Sequence, residues 1–200
     1  MKMNLPNKLT VLRIMLVPIF FLLCMLEFPG HLLAACAVFG AAAFTDWLDG
    51  NIARSQGLVT NLGKFLDPIA DKVLTTAAFI ALLMEVSGGH RWLWAWCLML
   101  IMSREFVVAT VRMMAAGGGE VVAADIWGKV KTVMQYIVVI FMFVMLDAVS
   151  VLGLLLQTDL SLWHDIVVWV GDLFMVVTTV ATVISGVRYT RQNWHFIKED

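Results

Sequence analysis

The sequence predicts an all-α, polytopic membrane protein, with six transmembrane helices preceded by an N-terminal interfacial amphipathic segment. Two observations predict it. The first is composition: the 200 residues are 61% hydrophobic and 14% charged, with a mean hydropathy of +0.88. A soluble domain is about half apolar and about a quarter charged. The second is the succession of apolar runs. A spanning helix needs about 20 predominantly apolar residues, and six candidates follow one another: Ile14–Phe28, His31–Ala53, Pro68–Val86, Trp92–Met114, Thr132–Leu156 and Ile166–Val187. No Ser- or Pro-rich linker divides them, so residues 1–200 read as a single membrane domain. A net charge of -1 offers no basic excess and excludes nucleic acid as a partner class.

Each element has its own justification. Ahead of the first span, "MKMNLPNKLTVLR" mixes Leu5, Leu9 and Leu12 with polar and basic residues, the pattern of a segment lying on the cytoplasmic leaflet. "LLAAC" at Leu32–Cys36 resembles a lipoprotein cleavage box, but Glu27, Pro29 and His31 interrupt the run before it. The apolar "AVFGAAAF" stands where a polar tether belongs, so the segment is expected to remain in the mature protein. The fourth span opens with Trp92, Trp94 and Trp96, expected as an outer interfacial belt. Before the fifth, "AAGGGEVVAADIWGKVK" is the most flexible-looking stretch. Asp147 and Gly153 leave that span's outer limit open, and Asp147 and Asp165 read as caps or solvated groups. Asp172, deeper in the sixth span, reads as a packing or pairing residue. Cys24, Cys36 and Cys97 stand singly in apolar runs and suggest neither a metal site nor a disulfide framework.

Orientation follows from basic residues, which concentrate on cytoplasmic flanks. Lys2, Lys8, Arg54, Lys64, Lys129, Lys131, Arg188, Arg191 and Lys198 fall on the side of the two termini, and Arg91 on the other. Both termini and the second-to-third loop are therefore expected in the cytoplasm.

That loop joins the most informative stretch, "TDWLDGNIARSQGLVTNLGKFLDPIADK". At about 100° per helical residue, Asp46, Asp49, Gly50 and Ala53 share one face of the second helix, and Asp67 and Asp71 share one face of the third. A short loop makes the two helices antiparallel, so the acidic faces are expected to meet. Charges in a span cost about 2.5–3.5 kcal/mol each on insertion scales, and four carboxylates need cations. Arg54, Lys64 and Lys72 supply some. Hard divalent ions suit carboxylate oxygens better, and a pair of Mg²⁺ ions about 3.5–4 Å apart clamps a phosphoryl group in an in-line displacement. Gly50 opens the backbone to a ligand, Arg54 offers a fork for phosphate, and Pro68 suits the first turn of its helix.

The pattern Asp46-x-x-Asp49-Gly50-x-x-Ala53-Arg54, then Gly63, Asp67 and Asp71 at the family's spacing, resembles the signature of the CDP-alcohol phosphatidyltransferase family. "NLPNKLTVLRIMLVP", "SREFVVATVR" and "GKVKT" are similar to a bacterial branch that uses glycerol 3-phosphate, so the bacterial inner (plasma) membrane is the implied location. The resemblance implies a six-helix enzyme, commonly a homodimer, that depends on Mg²⁺ or Mn²⁺, two ions. It would convert CDP-diacylglycerol and glycerol 3-phosphate into phosphatidylglycerophosphate and CMP. By position, Asp46, Asp49 and Asp67 would ligate metal, and Asp71 would be the general base and a further ligand. Gly50, Ala53, Arg54 and Gly63 would line the nucleotide part of the site.

For a dianionic acceptor the pocket should be basic. Arg104, Arg112, Lys129 and Lys131 are the candidates for glycerol phosphate, against a pairing of Arg104 with an aspartate or with adjacent Glu105, while the two lysines equally suit ordinary flanking charge. Asn7, Thr10 and Arg13 are candidates for the nucleotide or lipid phosphate. Two alternatives stand beside this reading: a same-family enzyme taking inositol phosphate, phosphatidylglycerol or serine, and a divalent-cation transporter. A transport path should carry polar groups through the whole membrane, and "LLCMLEF" and "AFIALLM" do not.

Overall fold

The computed structural model describes residues 4–55, 61–117 and 126–194, with the side chains at 47, 53–55, 61–62, 64–65, 68 and 116–117 outside the description. Six helices run in chain order: α1 (Leu5–Met25), α2 (His31–Ser55), α3 (Asn61–Glu85), α4 (Gly88–Gly117), α5 (Ile126–Leu156) and α6 (Ser161–Gln192). Among the described residues there are no strands. α1, α4, α5, α6 and residues 31–52 of α2 are each long and apolar enough to cross a membrane, so the protein is an all-α, multi-pass membrane protein. α3 differs from the expected third span. It starts earlier, its first half carries Lys64, Asp67, Asp71 and Lys72, and only Val73–Met84 is free of charge. At 1.5 Å per residue that stretch covers little more than half of a ~30 Å hydrocarbon core. Pro68 lies inside α3 rather than in its first turn.

Contacts gather the chain into two compact units, Met1–Glu85 with Val139–Val167, and Val86–Val138 with Val168–Asp200. In the first, α1 packs against α2 and, less extensively, against α3, whereas α2 and α3 touch each other little. No break separates the residues before 14 from the first span: one helix runs from Leu5 to Met25. Asn4 caps it, its side chain accepting from Asn7 N–H at 3.2 Å, and Pro6 sits where a missing N–H is harmless. Asn7, Thr10, Arg13, Val17, Phe20 and Cys24 form one buried stripe, spaced three and four apart as a helix face requires. Its apolar end makes the core. Phe20 meets Phe39 of α2 with ring centroids 5.9 Å apart and Phe143 of α5 at 5.7 Å, in the tilted and edge-on geometries aromatic rings favour.

Two details set the ends of α2 and α5. Gly30 turns the chain into α2 at φ 92°, a left-handed conformation that costs glycine little. Asp147, 3% exposed, accepts from Leu32 N–H at 3.3 Å. It therefore caps α2 from a distant helix, the capping role expected of it. α5 continues past Gly153 and ends with Gln157 at φ 49° and Thr158 N–H bonded to Gly153 C=O at 3.2 Å, the 6→1 bond of a Schellman cap.

In the second unit, the expected tryptophan belt is only partly formed. Trp92 and Trp96 are 73% and 61% exposed, but Trp94 is 1% exposed. Residues two apart on a helix point about 200° apart, so Trp94 faces inward when its neighbours face out. Asp172 accepts from Trp94 Nε1 at 2.7 Å and contacts His90 Nδ1 at 2.5 Å, the pairing role anticipated for it.

Candidate active site

The aspartates are positioned by three helices. Asp46 and Asp49 lie one turn apart on α2, and Asp67 and Asp71 one turn apart on α3. Instead of meeting directly, the two acidic faces are tied together through α1. Thr10 Oγ lies 2.7 Å from Asp67 Oδ1, 3.3 Å from Asp49 Oδ2 and 3.2 Å from Pro6 C=O. A hydroxyl has one proton to donate, and the short contact gives it to Asp67. Arg13 is fully buried; its Nη1 lies 2.6 Å from Asp46 Oδ1, and its Nη2 donates to Asp49 Oδ2. Arg13 thus forms an ion pair with each of the two α2 carboxylates. Asp67 and Asp71 are close enough to act on Asp46, and Asp67 acts on Asp49 as well. Thr10 and Arg13 thus draw Asp46, Asp49 and Asp67 of two helices together, with Asp71 near enough to act on Asp46.

Exposure gives the cluster a direction. The Asp46 side chain is 42% exposed and that of Asp49 3%, so the cluster opens on the Asp46 side. Gly50 is half-buried beside Asp49, Gly63 is buried in α3, and Asn7 is buried on the Thr10–Arg13 stripe. The side chains of Ala53 and Arg54 lie outside the described residues. The sequence suggests Arg54, Lys64 and Lys72 as part of the counter-charge and Arg13 as a phosphate contact, whereas the structure pairs Arg13 with the aspartates. The signal was present: in "NKLTVLR" the polar Asn7, Thr10 and Arg13 recur every third residue, as one helix face requires.

The donor set suits a hard divalent cation. It is all carboxylate oxygen, the chemistry Mg²⁺ and Mn²⁺ take, and Asp46 and Asp49 already share one cationic group in Arg13. In this conformation no three acidic, His or Cys side chains among the described residues group as ligands around one point. Arg13 Nε is buried with no hydrogen-bond partner among the described residues, and an acceptor such as a phosphate oxygen would satisfy it.

The basic candidates lie in the other unit. Arg104, 9% exposed, donates to Ser185 Oγ at 2.9 Å and to Glu105 Oε1 at 3.2 Å. Lys131, also buried, reaches the same Glu105 oxygen. One carboxylate therefore serves two cations, and Arg104 Nε has no partner among the described residues. The stem of Arg104 lies against Gly186, where a Cβ would overlap its Cγ, and lines a cavity of about 420 Å³ between α4 and α6 with Leu100, Val107 and Thr190. Arg112 is exposed; its Nε donates to Tyr189 Oη at 3.2 Å and its guanidinium lies 5.4 Å from that ring's centroid. Lys129 is exposed. The structure thus joins Arg104 to Lys131 through Glu105 and gives Arg112 a different partner.

An acidic, oxygen-only cluster set among apolar helices is the equipment of a membrane enzyme that handles phosphorylated groups. The family model for CDP-alcohol phosphatidyltransferase matches residues 3–184, and the chain belongs to that family. It is 39% identical to the CDP-diacylglycerol–glycerol-3-phosphate 3-phosphatidyltransferase of Bacillus subtilis (strain 168), over 98% of this chain and 97% of that protein. To the Pseudomonas fluorescens protein of the same name it is 34% identical, over 99% of this chain and 94% of that one. A protein so named in Escherichia coli (strain K12) is 37% identical over 68% of this chain and 75% of its own length.

Proposed function

We propose that this chain transfers the phosphatidyl group of CDP-diacylglycerol to glycerol 3-phosphate, giving phosphatidylglycerophosphate and CMP. The observation that carries the reading is the gathering of Asp46, Asp49 and Asp67 by Thr10 and Arg13, with Asp71 one turn beyond Asp67 on α3. The names of the full-length relatives support the acceptor.

Asp46, Asp49, Asp67 and Asp71 would hold two Mg²⁺ or Mn²⁺ ions. When bound, such ions supply Lewis-acid stabilisation to the diphosphate and its departing oxygen. The chain's own residues do the rest. Asp71 accepts the proton of the acceptor hydroxyl. Asn7, Thr10, Gly50, Ala53, Arg54 and Gly63 bind the CDP part, the glycines admitting it close to the backbone. Arg104, Arg112, Lys129 and Lys131 bind the acceptor phosphate; Arg104 and Lys131 outnumber Glu105, which suits them to a dianion. The acyl chains stay among the apolar helices. We place the enzyme in a bacterial inner membrane as a homodimer of one-domain chains, as its family and bacterial relatives suggest, with termini and aspartates on the cytoplasmic side on the strength of the basic flanks.

The test is CMP release by the purified protein in detergent with Mg²⁺, supplied in turn with glycerol 3-phosphate, inositol phosphate, phosphatidylglycerol and serine. Glycerol 3-phosphate is expected to give the fastest release, and a preference for another acceptor would overturn that part of the reading. Asp71→Asn is expected to lower kcat by about 10²-fold or more, the scale of general-base catalysis; near wild-type turnover would remove the proposed base.

A further inference from the structure

We infer that Arg13 is a resident counter-cation of the aspartate cluster: it competes with divalent cations for Asp46 and Asp49 and holds the carboxylates together when none is bound. The inference rests on the metal-binding reading of the aspartates given above.

Arg13 is fully buried, which is rare for arginine unless it is paired. Its partners are two carboxylates one helical turn apart, each taken by a different nitrogen of the guanidinium. A planar fork can span such a pair, whereas an ammonium acts as a point charge. Without a positive group inside the cluster, Asp46 and Asp49 would repel each other and Asp67 at short range, and a buried carboxylate with no compensation is strongly destabilising. Arg13 removes part of that cost.

The same contacts oppose a metal. Asp46 Oδ1 and Asp49 Oδ2 are engaged by the guanidinium, so lone pairs on them are withheld from a cation. A dication entering beside a fixed positive charge is also repelled. Arg13 therefore lowers the cluster's affinity for divalent ions while stabilising its empty form. It is a positioning residue, one turn beyond Thr10 on the same buried stripe.

The experiment is Mn²⁺ titration of the full-length protein in detergent, following the electron paramagnetic resonance signal of free Mn²⁺, with thermal unfolding in EDTA and in saturating Mn²⁺. Arg13→Gln removes the charge and is expected to bind Mn²⁺ more tightly by about tenfold or more. Arg13→Lys keeps the charge but cannot span both carboxylates, and its affinity is expected between those of wild type and Arg13→Gln. Both variants should unfold at lower temperature than wild type in EDTA and recover most of the difference with Mn²⁺. Unchanged or weaker Mn²⁺ binding in either variant would overturn the inference, and Arg13→Lys decides alone if Arg13→Gln does not fold. A wild-type protein that binds no Mn²⁺, or whose binding is unaltered by Asp67→Asn, would remove the metal reading itself and the inference with it. Wild-type binding that depends on Asp67, with no gain in the Arg13 variants, removes the inference alone.

Discussion

Asp172 shows how much one buried acid can organise. It accepts from Trp94 Nε1 and contacts His90 Nδ1, and Trp94 is almost completely enclosed. Asp172→Leu would strand the indole N–H, and an unsatisfied buried donor costs about 1–3 kcal/mol. The expected result is a lower unfolding temperature in detergent, partly recovered in the double variant Trp94→Phe/Asp172→Leu, where both partners become apolar. Gly186 makes a second case. A methyl group there would meet the stem of Arg104, and overpacking costs about 1–3 kcal/mol. Gly186→Ala is therefore expected to displace Arg104, and, on the acceptor role proposed for it, to raise KM for glycerol 3-phosphate more than it lowers kcat. A rise in KM for CDP-diacylglycerol alone would count against that role.

The helices show where pattern suffices and where it fails. The six apolar runs each became a helix because length and hydropathy act locally. Limits were less readable. α3 starts before Pro68, and the polar residues before it were excluded from a span by their charge although charge does not prevent a helix. The outer end of α5, left open by Asp147 and Gly153, is set by a Schellman cap with a non-glycine residue at its left-handed position. A side chain there costs about 1–2 kcal/mol relative to glycine. Gln157→Gly is expected to stabilise the protein modestly, read as a higher unfolding temperature with unchanged activity.

For the molecule as a whole, the prediction concerns cations. Dialysis against EDTA is expected to abolish CMP release, and Mg²⁺ or Mn²⁺ to restore it, because the four carboxylates of α2 and α3 exceed the one guanidinium that the described residues set among them. Activity that survives exhaustive chelation would sink two-metal catalysis. Much of the candidate site was legible: the spacing of Asp46, Asp49, Asp67 and Asp71 dictates two acidic helix faces whatever surrounds them. What joins those faces was not, because Thr10 and Arg13 are 57 and 36 residues from their partners Asp67 and Asp49, and no periodicity within one helix reports on contacts with another.

By itself, the sequence determined the all-α membrane class, the order of the helices and the acids that share a face, since these depend on composition and on a period of 3.6 residues. Only the tertiary structure decided that α1 is one helix whose polar stripe lies against the acids, that Arg13 is their counter-charge, and that Trp94 leaves its neighbours for Asp172. The physical reason is the same in each case. A buried polar group takes whichever partner packing brings within hydrogen-bond distance, and that choice belongs to the assembled helices rather than to any one of them.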